Sequence, residues 1–457
     1  MSVARGGRQV RAQPNSGVID KPGLAARLCA QRLLGAVIET STSLDGLTDD
    51  DHGHPQYRAL EMRDRSLVRA ILSSALRHRG TVSAFVNRLL DRPLPENAKS
   101  LNHLLHAAAA QILFLDVPDH SAVDLAVEAA RVDPRNGRFA SLINALLRRM
   151  AREKHEVLPN LMADTRDVPD WFWNALRMQY GERKAAQILA MHRIEAPVDF
   201  TVKSDPEHWA AVLGGIVVPG DTVRVEKLEA SVPALPGFAD GEWWVQDAAA
   251  SIPVRLLGDI RGKTALDLCA APGGKTAQMA HAGADVTAVD LSASRLKRLK
   301  GNLARLGLEV KTWHGNAFDF KPETRFDAVL LDAPCSSTGT IRRHPDVAWT
   351  KSPQDVEKLA RLQFEILAKA AQFVKPGGVL VFSNCSLLAK EGEELAARAT
   401  AEIPAFLPHP CAESELPGLK GLITPEGWLR STPADLALDR PEISGMDGFF
   451  AARFIVR

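Results

Sequence analysis

Two cysteines occupy the same kind of position in the sequence, immediately after a stretch that is typical of a β-strand. Cys335 follows the apolar run 328–331, and Cys385 follows the stretch 378–384. The length of the first run indicates a central strand, although periodicity alone does not separate it from a short buried helix. A thiol becomes a nucleophile when it ionises, so two thiols at two strand ends point to covalent chemistry.

The residues around Cys335 prevent the strand from continuing past it. Pro334 has no amide hydrogen to give to a sheet, and Gly339 permits a sharp change of direction. The chain therefore turns and presents the Asp332 carboxylate and the Cys335 thiol at the carboxyl end of the strand. Ligands bind at that end of the strands in open α/β sheets.

A glycine-containing turn follows an earlier strand-like stretch, residues 264–269. The turn reads Ala270-Ala-Pro-Gly-Gly-Lys-Thr276 and leads into a helix, where backbone amides can approach a polar ligand. Gly274-Lys275-Thr276 is similar to the end of a nucleotide-binding P-loop. That motif needs a glycine five residues before Gly274, where this chain has Cys269, so the P-loop interpretation fails.

The next two strand-like stretches also end on polar residues. Asp290 follows the stretch 285–289, where a carboxylate can accept both hydrogen bonds of a ribose diol. Asn316 follows the stretch 310–314, where its amide can meet a purine edge. A dinucleotide-dependent oxidoreductase would share these features, but it needs G-x-G-x-x-G in the turn, and this chain has A-P-G-G-K.

Composition limits the class of protein. A chain of 457 residues with 46% hydrophobic residues is too long for one ordinary core, so we expect two or three domains. No apolar stretch is long enough to cross a bilayer, and we expect no membrane association. Five cysteines without a C-x-x-C pair favour a reducing compartment, and we expect a cytoplasmic protein.

The organisation of the chain changes along its length. We predict a flexible basic tail over 1–20, an all-α helical bundle over 21–155, and a small α+β connecting subdomain over 156–247. From 248 to 457 strands and helices alternate, which is the signature of a doubly wound parallel sheet. An organelle transit peptide is the alternative for the tail, and a helical docking or dimerisation module is the alternative for the bundle.

Two charged segments allow more than one interpretation. The acidic stretch 48–54 contains metal-ligand residue types, but it lies between turn-forming residues, so we interpret it as a solvated loop and expect no metal. A basic cluster between 295 and 305 fits phosphate neutralisation and equally a solvated helix face. The net charge of +1 over the whole chain does not favour a polyanionic partner by itself.

Four strings in the second half of the chain resemble the motifs of the S-adenosylmethionine-dependent RNA (cytosine-5) methyltransferases. They are Asp267-Leu-Cys-Ala-Ala-Pro-Gly-Gly-Lys275, Asp332-Ala-Pro-Cys-Ser-Ser-Thr-Gly339 followed by Arg342-Arg-His-Pro345, Asn384-Cys385-Ser386, and Asp447-Gly-Phe-Phe450. The resemblance implies an α/β Rossmann-like methyltransferase domain, an S-adenosyl-L-methionine cofactor and an RNA substrate.

The helical region in front resembles the RNA-binding bundle of the NusB type. The likeness is carried by Arg63-Asp64-Arg65, Leu76-Arg77 with Gly80, the segment 117–123, and Leu142-Ile-Asn-Ala-Leu-Leu-Arg148. With both parts together, the chain is similar to the Sun/Fmu-type family, which methylates small-subunit (16S) ribosomal RNA. We therefore expect that RNA as the partner and a monomeric enzyme.

The resemblance also implies roles for individual residues, although spacing alone leaves open which cysteine attacks. By resemblance Cys385 is the nucleophile, Cys335 assists elimination, and Asp332 contacts the reacting base and the methyl-bearing end of the cofactor. The remaining implied contacts are to the cofactor from Cys269, Ala270, Ala271, Pro272, Gly273, Gly274, Lys275, Asp290 and Asn316, and to RNA from Arg342, Arg343 and His344. At position 316 the family usually has an acid, whereas this chain has the amide of Asn316, which can both donate and accept hydrogen bonds.

Two thiols match the chemical difficulty of methylating cytosine. Carbon 5 of cytosine is a poor nucleophile, so a thiolate must first add to carbon 6 and make the ring electron-rich. An ordinary thiol is only a few per cent ionised at neutral pH, so the site must favour the thiolate. A transfer-RNA cytosine-5 methyltransferase and a non-catalytic RNA-binding assembly factor are the competing hypotheses.

Overall fold

The computed structural model describes residues 21–457, so the basic tail expected over 1–20 lies outside the described residues. The described chain divides into two compact units. The first contains residues up to 36 together with 45–75 and 82–161, and the second contains 37–44, 76–81 and 162–457.

The amino-terminal region is helical, as the spacing of its apolar residues predicts. Turns rich in proline and aspartate separate the longer helices at the breakers seen in the sequence, near residues 91–95, 117–118 and 133–137. The core of the first unit contains leucine, valine and alanine side chains from the longer helices. The helices are α1 Leu24–Thr40, α2 Leu44–Leu47, α3 Pro55–Arg58, α4 Met62–Arg77, α5 Arg79–Leu89, α6 Lys99–Phe114, α7 Asp119–Val132 and α8 Ala140–Asp164.

Helix α8 does not end near residue 155, where we expected the bundle to stop. It continues through Pro159 to Asp164, and Val157 contributes a buried side chain to the core of the bundle. The apolar face of the helix therefore extends further than the change in composition indicated. The expected domain boundaries themselves stay predictions.

The next region combines helices with a small sheet. Helix α9 Asp170–His192 bends at Gly181, whose φ of 74° is outside the helical range. The four-stranded antiparallel sheet has the order β2-β3-β1-β4, and Phe200, Val223 and Trp243 are buried in its core. Its elements are β1 Val198–Val202, α10 Pro206–Leu213, β2 Ile216–Val218, β3 Thr222–Val225 and β4 Trp243–Val245.

An eight-stranded sheet with flanking helices forms the carboxyl-terminal part. Its strands are β5 Thr264–Leu268, β6 Asp285–Asp290, β7 Lys311–His314, β8 Phe326–Asp332, β9 Val374–Asn384, β10 Phe406–Pro408, β11 Leu429–Arg430 and β12 Phe450–Val456. The helices are α11 Ala248–Arg255, α12 Gly274–His281, α13 Ala293–Arg305, α14 Val347–Thr350, α15 Pro353–Ala370 and α16 Glu393–Glu402.

The strand order β10-β12-β9-β8-β5-β6-β7 creates a crevice beside β5. Strands β5 to β9 are mutually parallel, as predicted, with β6 on one side of β5 and β8 on the other. Strand β12 pairs antiparallel with β9, so the sheet is mixed and not purely parallel. Apolar patterning does not specify the direction of an added strand, which explains the difference.

Strand β8 is buried on both faces, which accounts for its uninterrupted apolar sequence. Val329 and Leu331 contribute to the core on one face, and Ala328 and Leu330 to the core on the other. The strand ends on Asp332, two residues before Pro334, which has no amide hydrogen to give to the sheet. Within residues 21–457, no helix has both the length and the hydropathy that crossing a membrane requires.

Candidate functional site

The two cysteines that follow strands β8 and β9 lie together. The sulfur atoms of Cys335 and Cys385 are 3.5 Å apart. Backbone hydrogen bonds hold the two loops to each other: Ala333 N donates to Ser383 O and Gly339 N donates to Cys385 O, both at 2.8 Å. Parallel pairing of β8 with β9 therefore continues past the strand ends and aligns the two thiols.

The surroundings of the two thiols make them unequal acids. A hydrogen bond from Cys335 lowers the pKa of Cys385, with further help from the Ser337 hydroxyl and the Lys275 charge, against burial and the Asp332 charge. The same hydrogen bond, together with burial, raises the pKa of Cys335 well above its ordinary value. Cys385 is therefore the sulfur that the site favours as a thiolate.

Asp332 and Lys275 form an ion pair beside the thiols. Lys275 Nζ lies 2.8 Å from Asp332 Oδ2, and the lysine side chain is only 10% exposed. Burial lowers the pKa of Lys275, but the charge and the hydrogen bond of Asp332 raise it by more. The pKa of Lys275 is therefore above its ordinary value. Lys275 Nζ also lies 4.8 Å from the centre of the Phe449 ring. Lys275 therefore stays protonated, and its ammonium charge lowers the pKa of Cys385 while the Asp332 charge raises it.

A buried carboxylate, that of Asp267, lies near the carboxyl end of β5, just before the glycine turn. Gly273 has a φ of 105°, which favours glycine, and helix α12 begins at the next residue. Asp267 is completely buried: its Oδ2 accepts a hydrogen bond from the Thr276 hydroxyl at 2.5 Å, whereas its Oδ1 has no protein partner. Burial raises the pKa of Asp267 to about 7. A buried carboxylate oxygen without a protein partner can accept a hydrogen bond from an amine or hydroxyl of a ligand.

Asp290 and Asn316 occupy the positions expected of them at the ends of β6 and β7. Asp290 is buried and accepts backbone hydrogen bonds from Ala271 N at 3.0 Å and Ser292 N at 2.8 Å. Asn316 is exposed and its Oδ1 accepts from Phe318 N at 3.1 Å. Strands β6 and β7, which precede these residues, lie on the side of β5 opposite to β8 and β9, which precede the thiols.

The structure does not bring Arg342 to the surface, contrary to our expectation that it contacts RNA. The Arg342 side chain is 1% exposed, and burial lowers its pKa to about 10. Arg343 donates to the buried carboxylates of Asp247 and Asp447, and its Nη1 donates to Pro197 O at 2.8 Å. Arg343 is therefore held by interior carboxylates, whereas the Arg342 guanidinium is buried and its Nε and Nη2 have no hydrogen-bond partner among the described residues.

His344, the third residue expected to bind RNA, is half-buried. Together with Arg343 and Arg342 it lowers the pKa of Asp447, a carboxyl whose pKa burial raises to about 7. The motif around 342–345 thus includes a structural cluster that holds the loop after Cys335 against residues 247 and 447.

Sequence reasoning missed one residue at the centre of the site. Glu391 is completely buried and accepts hydrogen bonds from Ser336 and Ser386, the residues that follow the two cysteines. Glu391 stands in the stretch Ala389-Lys-Glu-Gly-Glu393, which reads as a polar helix start. A buried carboxylate in such a stretch gives no periodic signal that would distinguish it from its exposed neighbours.

The remaining cysteines differ from the pair. Burial raises the pKa of Cys29 and of Cys411 to about 11, and that of Cys269 to about 12. Such thiols stay protonated near neutral pH and behave as small apolar side chains. In the described part of the chain, no group of three or more histidine, cysteine or acidic residues is arranged to hold a metal ion.

Comparison with families of known proteins gives a match to each half of the chain. Residues 254–455 match the family described as 16S rRNA methyltransferase RsmB/F, and residues 24–152 match the NusB family. A protein of Salmonella arizonae named Ribosomal RNA small subunit methyltransferase B is 32% identical over 449 residues, which are 94% of this chain and 98% of that protein. The protein of the same name from Escherichia coli strain SMS-3-5 is 33% identical over 407 residues, 85% and 91% of the two chains.

Solved structures share the fold over long stretches. The crystal structure of PH0851 has a TM-score of 0.70 and 23% identity, and the match covers 95% of this chain and 99% of that one. NSun6 from Pyrococcus horikoshii, solved with SFG, has a TM-score of 0.53 and 18% identity, covering 63% of this chain and 98% of that one. Identities this low show the common fold alone.

Proposed function

Because this chain belongs to the RsmB/F family of 16S rRNA methyltransferases, we propose that it methylates carbon 5 of a cytosine in that RNA through a covalent bond between Cys385 and carbon 6. The family matches confirm the expected fold class, a NusB-type helical domain followed by a methyltransferase domain. The observation that carries the proposal is the 3.5 Å separation of the Cys335 and Cys385 sulfurs beside the ion pair of Asp332 with Lys275.

The crevice beside β5 fits S-adenosyl-L-methionine. That cofactor, when bound, supplies a methyl group on a positively charged sulfur, which an electron-rich carbon can attack. Asp290 would hold the ribose, and the orphaned Asp267 Oδ1 would accept a hydrogen bond from the ammonium group. The segment from Cys269 to Lys275 would line the methionine portion, and the Asn316 amide would meet the adenine edge.

Cys385 starts the reaction as the attacking sulfur. Its pKa is lowered by the Cys335 hydrogen bond and by the Lys275 charge, so a larger fraction of it is thiolate than for an ordinary cysteine. The thiolate adds to carbon 6 of cytosine, and the electron pair displaced from the ring double bond makes carbon 5 nucleophilic. The target base must leave its stack so that its face can meet the sulfur.

Asp332 and Cys335 act at the polar edge of the base and in the release step. Asp332 can hydrogen-bond N3 or N4 of cytosine and stabilise the charge that develops there. After carbon 5 has received the methyl group, a base removes the proton from carbon 5, its electron pair forms the ring double bond, and the bond from carbon 6 to Cys385 breaks. Cys335 is near enough to the Cys385 sulfur to assist that elimination.

Labelled methyl transfer to unmodified 16S rRNA tests the proposal. We expect 5-methylcytidine in the digested RNA with the wild-type protein, no transfer with Cys385→Ala, and a covalent protein–RNA adduct that accumulates with Cys335→Ala. Adduct accumulation in the Cys385 variant would reverse the two roles. Cys411→Ala is a matched control, because it removes a buried thiol whose pKa is raised to about 11, and it should transfer at the wild-type rate.

The same assay separates the competing hypotheses. Preferential labelling of a transfer-RNA transcript would replace the ribosomal substrate with transfer RNA. Tight binding of 16S rRNA without any transfer would support an assembly factor instead of an enzyme. Methylation at a base other than cytosine, unaffected by both cysteine variants, would remove the covalent mechanism.

A further inference from the structure

One buried carboxylate connects the loops that carry the two thiols. Glu391 Oε1 accepts hydrogen bonds from Ser336 N at 2.9 Å and from Gln363 Nε2 at 2.8 Å. Glu391 Oε2 accepts from the Ser336 hydroxyl at 2.5 Å and from the Ser386 hydroxyl at 2.6 Å. The residue is completely buried, so these protein donors replace the hydration of its carboxylate.

Two of the residues that donate hydrogen bonds to Glu391 are neighbours of the cysteines in the sequence. Ser336 is the residue after Cys335, and Ser386 is the residue after Cys385. We propose that Glu391 is a positioning residue that sets the distance and direction of the two reacting sulfurs by holding both adjacent residues at once. The proposal rests on the proposed two-thiol mechanism and adds the group that assembles its site.

The orientation of Glu391 is itself fixed by a closed set of buried amides. Asn384 Nδ2 donates to Glu391 O at 2.7 Å and to Gln363 Oε1 at 3.1 Å. Ser386 N donates in turn to Asn384 Oδ1 at 3.0 Å. Each of these side chains is 0% exposed, so the connection between the loops does not depend on solvent.

A carboxylate suits this position better than an amide of the same shape. Both oxygens of Glu391 receive hydrogen bonds, and the Ser336 amide and the Gln363 amide can act only as donors at those contacts. A glutamine whose oxygen takes the Oε1 position can still accept from Ser336 N and Gln363 Nε2, but its NH2 group must donate to the Ser336 and Ser386 hydroxyls, which then have to turn from donors into acceptors. Glu391→Gln therefore keeps the volume of the side chain, removes the charge from all four hydrogen bonds and weakens the connection to both cysteine loops.

Placement matters because both sulfurs act on the same ring. A displacement of about 1 Å in a reacting group can cost on the order of 100-fold in rate. Backbone hydrogen bonds between the loops persist without Glu391, such as that from Gly339 N to Cys385 O at 2.8 Å. We therefore expect the variant to fold with the thiols present but imprecisely oriented.

Formation of a disulfide between Cys335 and Cys385 measures their placement without RNA or cofactor. Diamide, an azo oxidant, takes up the two electrons and two protons that the thiols lose as the sulfur–sulfur bond forms. In wild-type protein we expect rapid formation of this bond, and in Glu391→Gln a rate lower by about 10-fold or more. In methyl transfer, kcat should fall by about 10- to 100-fold while KM for S-adenosyl-L-methionine stays within about 2-fold.

Asp327→Asn is the matched control. Asp327 accepts hydrogen bonds from Thr264 N, the Thr264 hydroxyl and Lys375 Nζ, so its replacement also disturbs several contacts of a carboxylate, but at the amino end of β8. We expect wild-type rates of disulfide formation and of methyl transfer from this variant. If Glu391→Gln does not fold, Ser386→Ala removes the hydroxyl contact of the Cys385 loop with Glu391. Ser336→Ala removes the hydroxyl contact of the Cys335 loop and leaves the bond from Ser336 N, and each variant should slow disulfide formation.

The two proposals fail in different ways. Wild-type disulfide rates in Glu391→Gln, or in both serine variants, would overturn the positioning role. A loss of kcat no larger than that of Asp327→Asn would also overturn it. Full methyl transfer by Cys385→Ala would defeat the proposed mechanism, while the disulfide measurement would still report whether Glu391 orients the sulfurs.

Discussion

The two ends of strand β8 carry the same pair of residue types with different consequences. At the amino end, Asp327 Oδ1 lies 2.8 Å from Lys375 Nζ, and the two side chains are 33% and 42% exposed. At the carboxyl end, Asp332 Oδ2 lies 2.8 Å from Lys275 Nζ, where the lysine is only 10% exposed. The distances are equal, so the surroundings must account for the difference in role.

The residues that neighbour each Asp–Lys pair differ between the two ends of the sheet. Asp327 is held by Thr264 and Lys375, and these hydrogen bonds lower its pKa to about 2. The pair at the carboxyl end lies beside two thiols, and the Lys275 charge acts on Cys385. Parallel strands bring their carboxyl ends to one edge, so loops with functional residues accumulate there and not at the amino edge.

The largest difference between the two ends of β8 is expected when each aspartate is neutralised in turn. Asp332→Asn should lower kcat by about 100- to 1000-fold, because in the proposed mechanism it removes the charge that stabilises the polar edge of cytosine. Asp327→Asn should leave kcat near the wild-type value. Steady-state methyl transfer to 16S rRNA measures both, and similar losses in the two variants would contradict a difference between the ends.

A second experiment removes the positive charge from the carboxyl end. Lys275→Met should raise the pKa of Cys385, because the ammonium charge helps to lower it. The pH at which iodoacetamide alkylates Cys385 half-maximally should therefore increase, as peptide mass spectrometry of the labelled cysteine would show. Lys275→Arg keeps the charge and should restore the wild-type profile, whereas Lys375→Met at the other end should not change it.

Lowering the pH should test how much Asp327, at the amino end of β8, contributes to stability. The pKa of Asp327 is lowered from an ordinary 3.8 to about 2 in the folded protein, so its stabilising contribution is complete above the ordinary value and is lost as pH falls toward about 2. Asp327→Asn lacks that contribution at every pH. The difference in Tm between wild type and variant should therefore shrink from about pH 6 to about pH 2, and a constant difference would argue against it.

The smallest effect is expected for the coupling between Asp327 and Lys375. Both side chains are partly exposed, so a double-mutant cycle with Asp327→Asn and Lys375→Met should give a coupling free energy below about 1 kcal/mol. Unfolding in urea measures it. A larger value would mean that this pair is as strongly constrained as the pair of Asp332 with the buried Lys275.

Much of the methyltransferase sheet follows from the sequence. The strands expected around 264–269, 285–289, 310–314 and 328–331 are present, because short apolar runs bounded by glycine, proline or a polar residue are typical of buried parallel strands. The antiparallel direction of β12 was not predictable in this way. Its partner β9 lies far away in the sequence, and apolar patterning is the same for both directions.

Only some of the residues of the candidate site were predicted from the sequence. The polar residues at the strand ends were identified because each ends a recognisable apolar run, but the paired arginines at 342 and 343 were expected at the surface. Arg343 forms its ion pairs with Asp247 and Asp447, which are distant in sequence, and Arg342 is buried beside it. Glu391 was missed for the same reason, since its partners belong to two separate loops.

The amino-acid sequence by itself determined where the strands end and which thiols and carboxylates follow them, because turn residues and apolar runs act locally. Only the tertiary structure decided which groups face one another: the sulfur atoms at 3.5 Å, the lysine beside Asp332, and the buried carboxylate between the two cysteine loops. The physical reason is that burial and charge compensation depend on residues from distant parts of the chain, and a linear pattern does not record those neighbours.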